Sequence, residues 1–222
     1  MTTFALVHGS WHGAWCFQKL AAELEARGHG AVAVDLPCDE VGKDYPDYAR
    51  VVAGALANRD DVVAVGHSMG GHTIPHLARL RPIRRLVFLC ALVPPPAEGW
   101  AHDQHTPRLG EAIVRDELDR SFVRDLDSAV ATLYDDCDAT DARRAFERLR
   151  PQARTNAYLP RSEWPDVPAT YVVTRGDRAL PPAWQREAAA ANGLETRELD
   201  GGHSPFVARP EELALLLLGL LL

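Results

Sequence analysis

The stretch Val62-Val63-Ala64-Val65-Gly66-His67-Ser68-Met69-Gly70-Gly71 decides the fold. Residues 62–65 form a short, continuous apolar run rich in β-branched side chains, the pattern of a strand buried on both faces. Residues 69–80 then take helical spacing. Between them lies G-x-S-x-G. A strand that turns this sharply into a helix strains the backbone at Ser68, and Gly66 and Gly70 carry no side chains to block the close approach. Such a turn pushes the serine hydroxyl into the open. The helix N-terminus sets free amides and positive dipole beside it.

Outward from this turn the same alternation repeats. Residues 4–7 are an apolar run ending in His8-Gly9. Residues 15–26 have helical spacing, with Leu20 and Leu24 four apart, and stop at Gly28. Residues 31–34 form another apolar run, closed by Asp35-Leu36-Pro37. Residues 48–56 read as helix and 86–89 as a fourth strand. The pattern breaks at Val93-Pro94-Pro95-Pro96. The next seventy or so residues hold no convincing strand; 111–122, 127–134 and 141–149 have helical spacing. Beyond Pro165 the alternation resumes, with strands at 170–173 and 194–199, a helix at 182–191 ended by Asn192-Gly193, and a last helix at 206–221. The spacing predicts an α/β core from 1–93 and 166–222, interrupted by a helical cap at 94–165. An insert after the fourth strand lies over the carboxyl ends of the strands, where open parallel sheets bind ligands.

The chain has 222 residues, of which 46% are hydrophobic and 25% charged, and this excludes a disordered, collagen-like or disulfide-stapled protein. Net charge is −7, which argues against a polyanion partner such as nucleic acid. Cys16, Cys38, Cys90 and Cys137 are widely spaced with no C-x-x-C pair, so a reducing, cytoplasmic setting is expected. The N-terminus lacks the basic and apolar regions of a signal peptide. The terminal run LALLLLGLLL at 213–222 is half a membrane span and reads as a buried helix, so no membrane partner is expected.

A serine hydroxyl becomes a useful nucleophile only when a base takes its proton. On this scaffold the order is serine, acid, histidine. Thr170-Tyr171-Val172-Val173-Thr174-Arg175-Gly176-Asp177 places an acid just past a strand, and Asp200-Gly201-Gly202-His203 places a histidine just past the next. Both fall on the same sheet edge as Ser68. Asp177 would hold the His203 tautomer; Asp200 and Asp166 are the alternative acids. The turn His8-Gly9-Ser10-Trp11-His12-Gly13-Ala14-Trp15 can present a backbone N–H to the nucleophile, so Ser10 and Met69 are the candidate oxyanion donors. His8 and His12 line that turn in a structural role. The turn lacks the G-x-G-x-x-G of a dinucleotide site, and His72 and His76 lack a zinc motif, so neither cofactor nor metal is expected. Gly9, Trp11 and Phe206 flank the catalytic turns and are candidate substrate contacts. So are Leu133 and Tyr134 of the cap, which is expected to set substrate choice without contributing to the triad.

Together these motifs resemble the α/β-hydrolase superfamily over nearly the whole chain. The segments 8–15, 66–71 and 201–203 resemble most the group of plant methylesterases, hydroxynitrile lyases and small bacterial esterases. Leu133-Tyr134-Asp135-Asp136-Cys137 and Arg148-Leu149-Arg150-Pro151-Gln152 look like the cap of its bacterial members. The resemblance implies an α/β-hydrolase fold. The chain starts at what would be the superfamily's third strand, so about six parallel strands are expected, with helices on both faces. Where relatives sometimes carry the acid, this chain has Cys90-Ala91, which leaves Asp177. The implied activity is serine hydrolysis of a small carboxylic ester, thioester or lactone. A lyase using His203 as base, or a ligand-binding receptor with a vestigial triad, are the competing readings. The lyases resembled here carry Thr where this chain has Gly9 and Lys where it has Ser204. Assembly is left open, a homodimer included.

Overall fold

The computed structural model describes residues 1–94 and 106–221. Along the chain run β1 (Thr3–Val7), α1 (Gln18–Ala26), β2 (Gly30–Ala33), α2 (Tyr45–Ala55), β3 (Val62–His67), α3 (Gly70–Leu80) and β4 (Arg85–Leu89). After the undescribed residues come α4 (Pro107–Ala112), β5 (Ile113–Arg115), β6 (Ser121–Val123), α5 (Leu126–Thr132) and α6 (Ala139–Phe146). The chain closes with β7 (Ala169–Thr174), α7 (Pro182–Ala191), β8 (Glu195–Leu199), α8 (Pro205–Ala208) and α9 (Pro210–Gly219).

Six strands pair in parallel in the order β2-β1-β3-β4-β7-β8. The apolar runs are continuous because both faces of this sheet are covered. Phe4, Leu6, Val63, Val65, Val87 and Leu89 face Leu20 and Leu24 of α1 and Leu213 and Leu217 of α9. Their neighbours in sequence, Ala5, Val7, Val62, Ala64, Leu86 and Phe88, face α2, α3 and α7 through Tyr48, Val52, Ile74, Leu77 and Ala188. Each such Leu, Val or Phe contributes about 1.5–3 kcal/mol of burial, which makes the two-period pattern hard to violate. Edge strand β8 is exposed along most of its length. The α/β-hydrolase architecture expected from the sequence is therefore present, with the six parallel strands and helices on both faces.

The cap differs from its sequence reading. The helix expected over 111–122 is an antiparallel hairpin instead, with Ile113 opposite Val123 and Arg115 opposite Ser121. Asp116 explains the reversal. Its side chain accepts from the backbone N–H of Leu118 and Arg120, an Asx-type turn that competes with helix, and Asp119 follows at φ 58°. The last helix is also broken in two: Arg209 leaves the helical region because Pro210 disfavours it there. Pro95 and Pro96, which mark the start of the insert in sequence, lie outside the described residues. Leu109, Val123, Ala129, Leu133, Tyr134, Ala142 and Ala145 form a third core with Trp11 and Ala179. Those two residues follow β1 and β7, so the cap sits on the loops at the carboxyl ends of the strands. Among the described residues no helix is long and apolar enough to cross a membrane.

Candidate active site

Ser68 sits between β3 and α3 at φ 50°, a conformation uncommon for any residue but glycine. The surrounding glycines make the turn possible. A Cβ on Gly66 would lie 2.6 Å from the Gly70 carbonyl oxygen, and a Cβ on Gly9 would lie 2.7 Å from Cβ of Ser68. Hydrogen bonds fix the elbow to the neighbouring strand: Ser68 N–H donates to Leu89 O at 3.2 Å, and Leu92 N–H donates to Ser68 O at 2.9 Å. Met69 begins the helix, and Ser10 packs beside it with its hydroxyl 3.4 Å from the Met69 sulfur. The backbone N–H groups of Ser10 and Met69 donate to no backbone carbonyl among the described residues.

The ends of β7 and β8 bring the other two groups together. His203 Nδ1 donates to Asp177 Oδ2 at 2.8 Å, and both side chains are almost wholly buried. A further four donors converge on Asp177. The N–H groups of Ala179 and Leu180 reach Oδ1 at 2.8 Å each; Gln185 Nε2 and Thr174 Oγ1 reach Oδ2 at 2.9 and 3.0 Å. The carboxylate is thereby fixed in position, and the imidazole with it. Nδ1 carries the proton, so Nε2 is the basic nitrogen. Asp200 instead pairs with Arg175 at the surface at 2.8 Å, and Asp166 is exposed.

Three more buried imidazoles surround this pair, and each is neutral by virtue of burial. His8 Nδ1 donates to Gly9 O at 2.8 Å while its Nε2 accepts from Leu36 N–H at 3.0 Å. His12 Nδ1 donates to Ser10 O at 2.8 Å and its Nε2 accepts from the Tyr134 hydroxyl at 2.9 Å. His67 Nε2 donates to the carbonyl of His203 at 2.9 Å. Desolvation pushes His8 down to about 4 and His12 to about 3, and holds His67 well below its ordinary value. Their hydrogens are thus spent on the carbonyls of Gly9, Ser10 and His203. His8, His12 and His67 shape the turns; His203 is the imidazole of the four that a carboxylate orients.

His67, Cys90 and His203 bring potential metal-ligand atoms within 4.8 Å of one another. His203 Nδ1 is on Asp177 and His67 Nε2 is on a carbonyl, which leaves His203 Nε2 and His67 Nδ1 free among the described residues. The third group does not suit a metal: Cys90 Sγ donates to the His203 carbonyl at 3.5 Å, and burial pushes its thiol well up, away from the thiolate a metal needs.

A pocket of about 270 Å³ opens beside the Ser10 and Met69 amides, lined also by Trp11, Tyr45, Ile113 and Gln152. A separate cleft of about 180 Å³ is lined by Trp15, Lys19 and Arg148; neither cavity is lined by Ser68, Asp177 or His203, and the first alone includes Met69, the chain neighbour of Ser68. Of the expected substrate contacts, Trp11 lines the first pocket, and its Nε1 donates to the Ser121 carbonyl at 3.1 Å. Gly9 packs against Ser68. Leu133 and Tyr134 are instead buried inside the cap core. Phe206 requires correction: Pro205 starts α8 so that the ring turns inward, fully buried, with its centroid 4.7 Å from His67 and 4.9 Å from Phe17. It supports the site from beneath. Sequence reasoning missed Gln185, which joins Asp177 to the Thr174 backbone, and Tyr134 as a partner of His12. Gln185 is a polar position on the buried side of an alanine-rich helix, a faint signal that only the fold makes legible.

Comparison with known proteins agrees with this architecture. The model of a family described as "Alpha/beta hydrolase family" matches residues 4–214. Methylesterase 7 of Arabidopsis thaliana is 29% identical over 97% of this chain and 94% of its own length. A carbendazim hydrolyzing esterase of Nocardioides sp. (strain SG-4G) is 40% identical over 42% of this chain and 43% of its own. The crystal structure of polyneuridine aldehyde esterase superposes with a TM-score of 0.81 over 99% of both chains, at 22% identity. With the strained serine turn, the parallel sheet and the family match in agreement, the chain belongs to the α/β-hydrolase family.

Proposed function

We propose that this chain is a serine esterase that cleaves a small carboxylic ester through an acyl-enzyme, with Ser68 as nucleophile, His203 as general base and Asp177 as the group that orients it. The supporting observation is the selectivity of the imidazole environments: His203 meets a buried carboxylate, while His8, His12 and His67 meet carbonyls. In this reading Ser68 Oγ attacks the ester carbonyl as its proton passes to His203 Nε2. The oxyanion settles on the Ser10 and Met69 N–H groups, each worth about 2.7–4 kcal/mol in the transition state. His203 then returns the proton to the leaving alcohol, and water clears the acyl group by the same route. Thioesters and lactones fit the same machinery.

Relatives named methylesterase and esterase support ester hydrolysis over the lyase reading. So does the placement of cations. A lyase that expels cyanide needs a fixed positive charge beside its base. Here Ser204 follows His203, Lys19 pairs with Asp141 at 2.5 Å, and Lys43 lies in the turn just before α2. The four free cysteines fit a cytoplasmic setting. Residues 1–93 and 166–222 act in this reading as catalytic core, and 94–165 as the cap over it. The test is one purified preparation assayed with short p-nitrophenyl esters and with mandelonitrile. Ester turnover without enzymatic cyanide release is expected; cyanide release without ester turnover overturns the assignment.

A further inference from the structure

Two consecutive cap residues reach into the loops that carry the catalytic groups. Asp136 Oδ2 accepts the backbone N–H of Gly202 at 2.9 Å, one residue before His203, and lies 3.7 Å from Nε of Arg209 at the far end of α8. Asp135 Oδ2 pairs with Arg178 Nε at 2.9 Å, one residue after Asp177. The cap thus holds the His203 loop with one carboxylate and the Asp177 loop with the next.

The turn that presents them is firmly seated. Leu133 and Tyr134 are buried just before it, Cys137 N–H closes it on Tyr134 O at 3.1 Å, and Asp138 caps α6 through the Thr140 N–H at 2.8 Å. The opposing loop is shaped to receive it. Gly201 adopts φ 121°, and a Cβ on Gly202 would meet Asp135 Oδ1 at 2.5 Å and Asp136 Oδ1 at 2.8 Å. The arrangement also has a cost. Asp135 Oδ1 and Asp136 Oδ1 are buried without a hydrogen-bond partner among the described residues, and burial holds the Asp135 carboxyl above the usual range. Two adjacent, partly unsatisfied carboxylates are a poor choice for stability alone. Their geometry serves the loops.

We infer that Asp136 is a positioning residue for His203: through the Gly202 N–H it sets the backbone from which the imidazole projects, and Asp135 with Arg178 does the same for Asp177. The inference rests on the reading of His203 as the base. It revises the expectation that the cap leaves the triad alone. A displacement near 1 Å at a catalytic group can cost about a hundredfold in rate, so a lost clamp has a measurable consequence.

The experiment compares Asp136→Ala and Asp136→Asn with wild type on a p-nitrophenyl ester, with circular dichroism to verify folding. The asparagine keeps an oxygen that accepts from Gly202 N–H; the alanine keeps none. Expected is a fall in kcat of about tenfold or more for Asp136→Ala with KM changed by less than about twofold, and retention of kcat within about threefold for Asp136→Asn. The low-field proton resonance of the His203 Nδ1–H to Asp177 bond should broaden or move in Asp136→Ala and stay in place in Ser68→Ala. Should Asp136→Ala not fold, Asp136→Leu, close in volume and without an acceptor, is read in the same way. Wild-type kcat and an unmoved resonance in a folded, acceptor-free variant overturn the inference, as does an Asp136→Asn enzyme as impaired as the alanine. An active His203→Ala enzyme would instead refute the triad reading itself.

Discussion

Acidification should destabilise this protein strongly before its carboxylates titrate. His8, His12 and His72 are buried and neutral, pushed by desolvation from 6.5 to about 4, 3 and 3 respectively. The unfolded chain regains the ordinary value, so between those limits it binds protons that the native state refuses. Their contribution to stability is fully present above pH 6.5 and is lost as pH falls below it. At about pH 5 each unfolded imidazole gains about 2 kcal/mol from protonation and each native one almost nothing, about 6 kcal/mol in all. Total stabilities of single domains are about 5–15 kcal/mol, so this is a large share. His67, held well below its ordinary value, adds in the same direction; Asp135, held up by burial, opposes it. The assay is urea unfolding followed by tryptophan fluorescence at about pH 7.5 and about pH 5. His72 provides the internal control. Its ring lies 5.1 Å from Tyr45 and 5.5 Å from Tyr158, and its Nδ1 has no hydrogen-bond partner, so phenylalanine replaces it without loss of a bond. His72→Phe should lose about 2 kcal/mol less than wild type across that interval. Equal stability at the two pH values, or an identical loss in His72→Phe, would refute the reasoning.

Other outcomes follow from the same geometry. Gly9→Ala sets a Cβ 2.7 Å from Ser68 Cβ and 3.1 Å from the His67 carbonyl; ester turnover should fall at least about tenfold with the fold retained, as read by kinetics beside circular dichroism. Gln185→Leu removes a donor from Asp177 and an acceptor from Thr174 N–H, and denaturant titration should show a loss of about 1–3 kcal/mol together with reduced kcat. Tyr134→Phe frees His12 Nε2 and should cost about 1 kcal/mol, measured the same way. Leu133→Ala opens the cap core and should destabilise by about 2–5 kcal/mol while a series of esters of graded acyl length keeps its rank order.

The core was legible because its signals are redundant. Each strand from β1 to β4 is a short apolar run, and the elbow at Ser68 demands glycines at fixed offsets, so composition and geometry point the same way. The pairing of Asp177 with His203 was readable because each follows the end of one of two neighbouring parallel strands. The cap was harder. Ile113, Val114 and Phe122 satisfy a helical period and a strand period equally over so short a span, and the side chain of Asp116 decides between them. Phe206 lies next to the catalytic loop in sequence yet turns beneath it, because one proline sets the direction of α8. Contacts between distant loops, such as Asp136 with Gly202 or Gln185 with Asp177, leave no periodic trace and emerge only when the sheet brings its edges together.

The central claim is that Ser68 is a nucleophile activated by His203. A fluorophosphonate probe reacts covalently with such a serine far faster than with other nucleophiles, and peptide mapping locates the adduct. The account predicts a single stoichiometric adduct on Ser68, absent in Ser68→Ala and strongly slowed in His203→Ala, with ester turnover lost in both variants. An adduct on another residue, or ester turnover undiminished in Ser68→Ala, would contradict it.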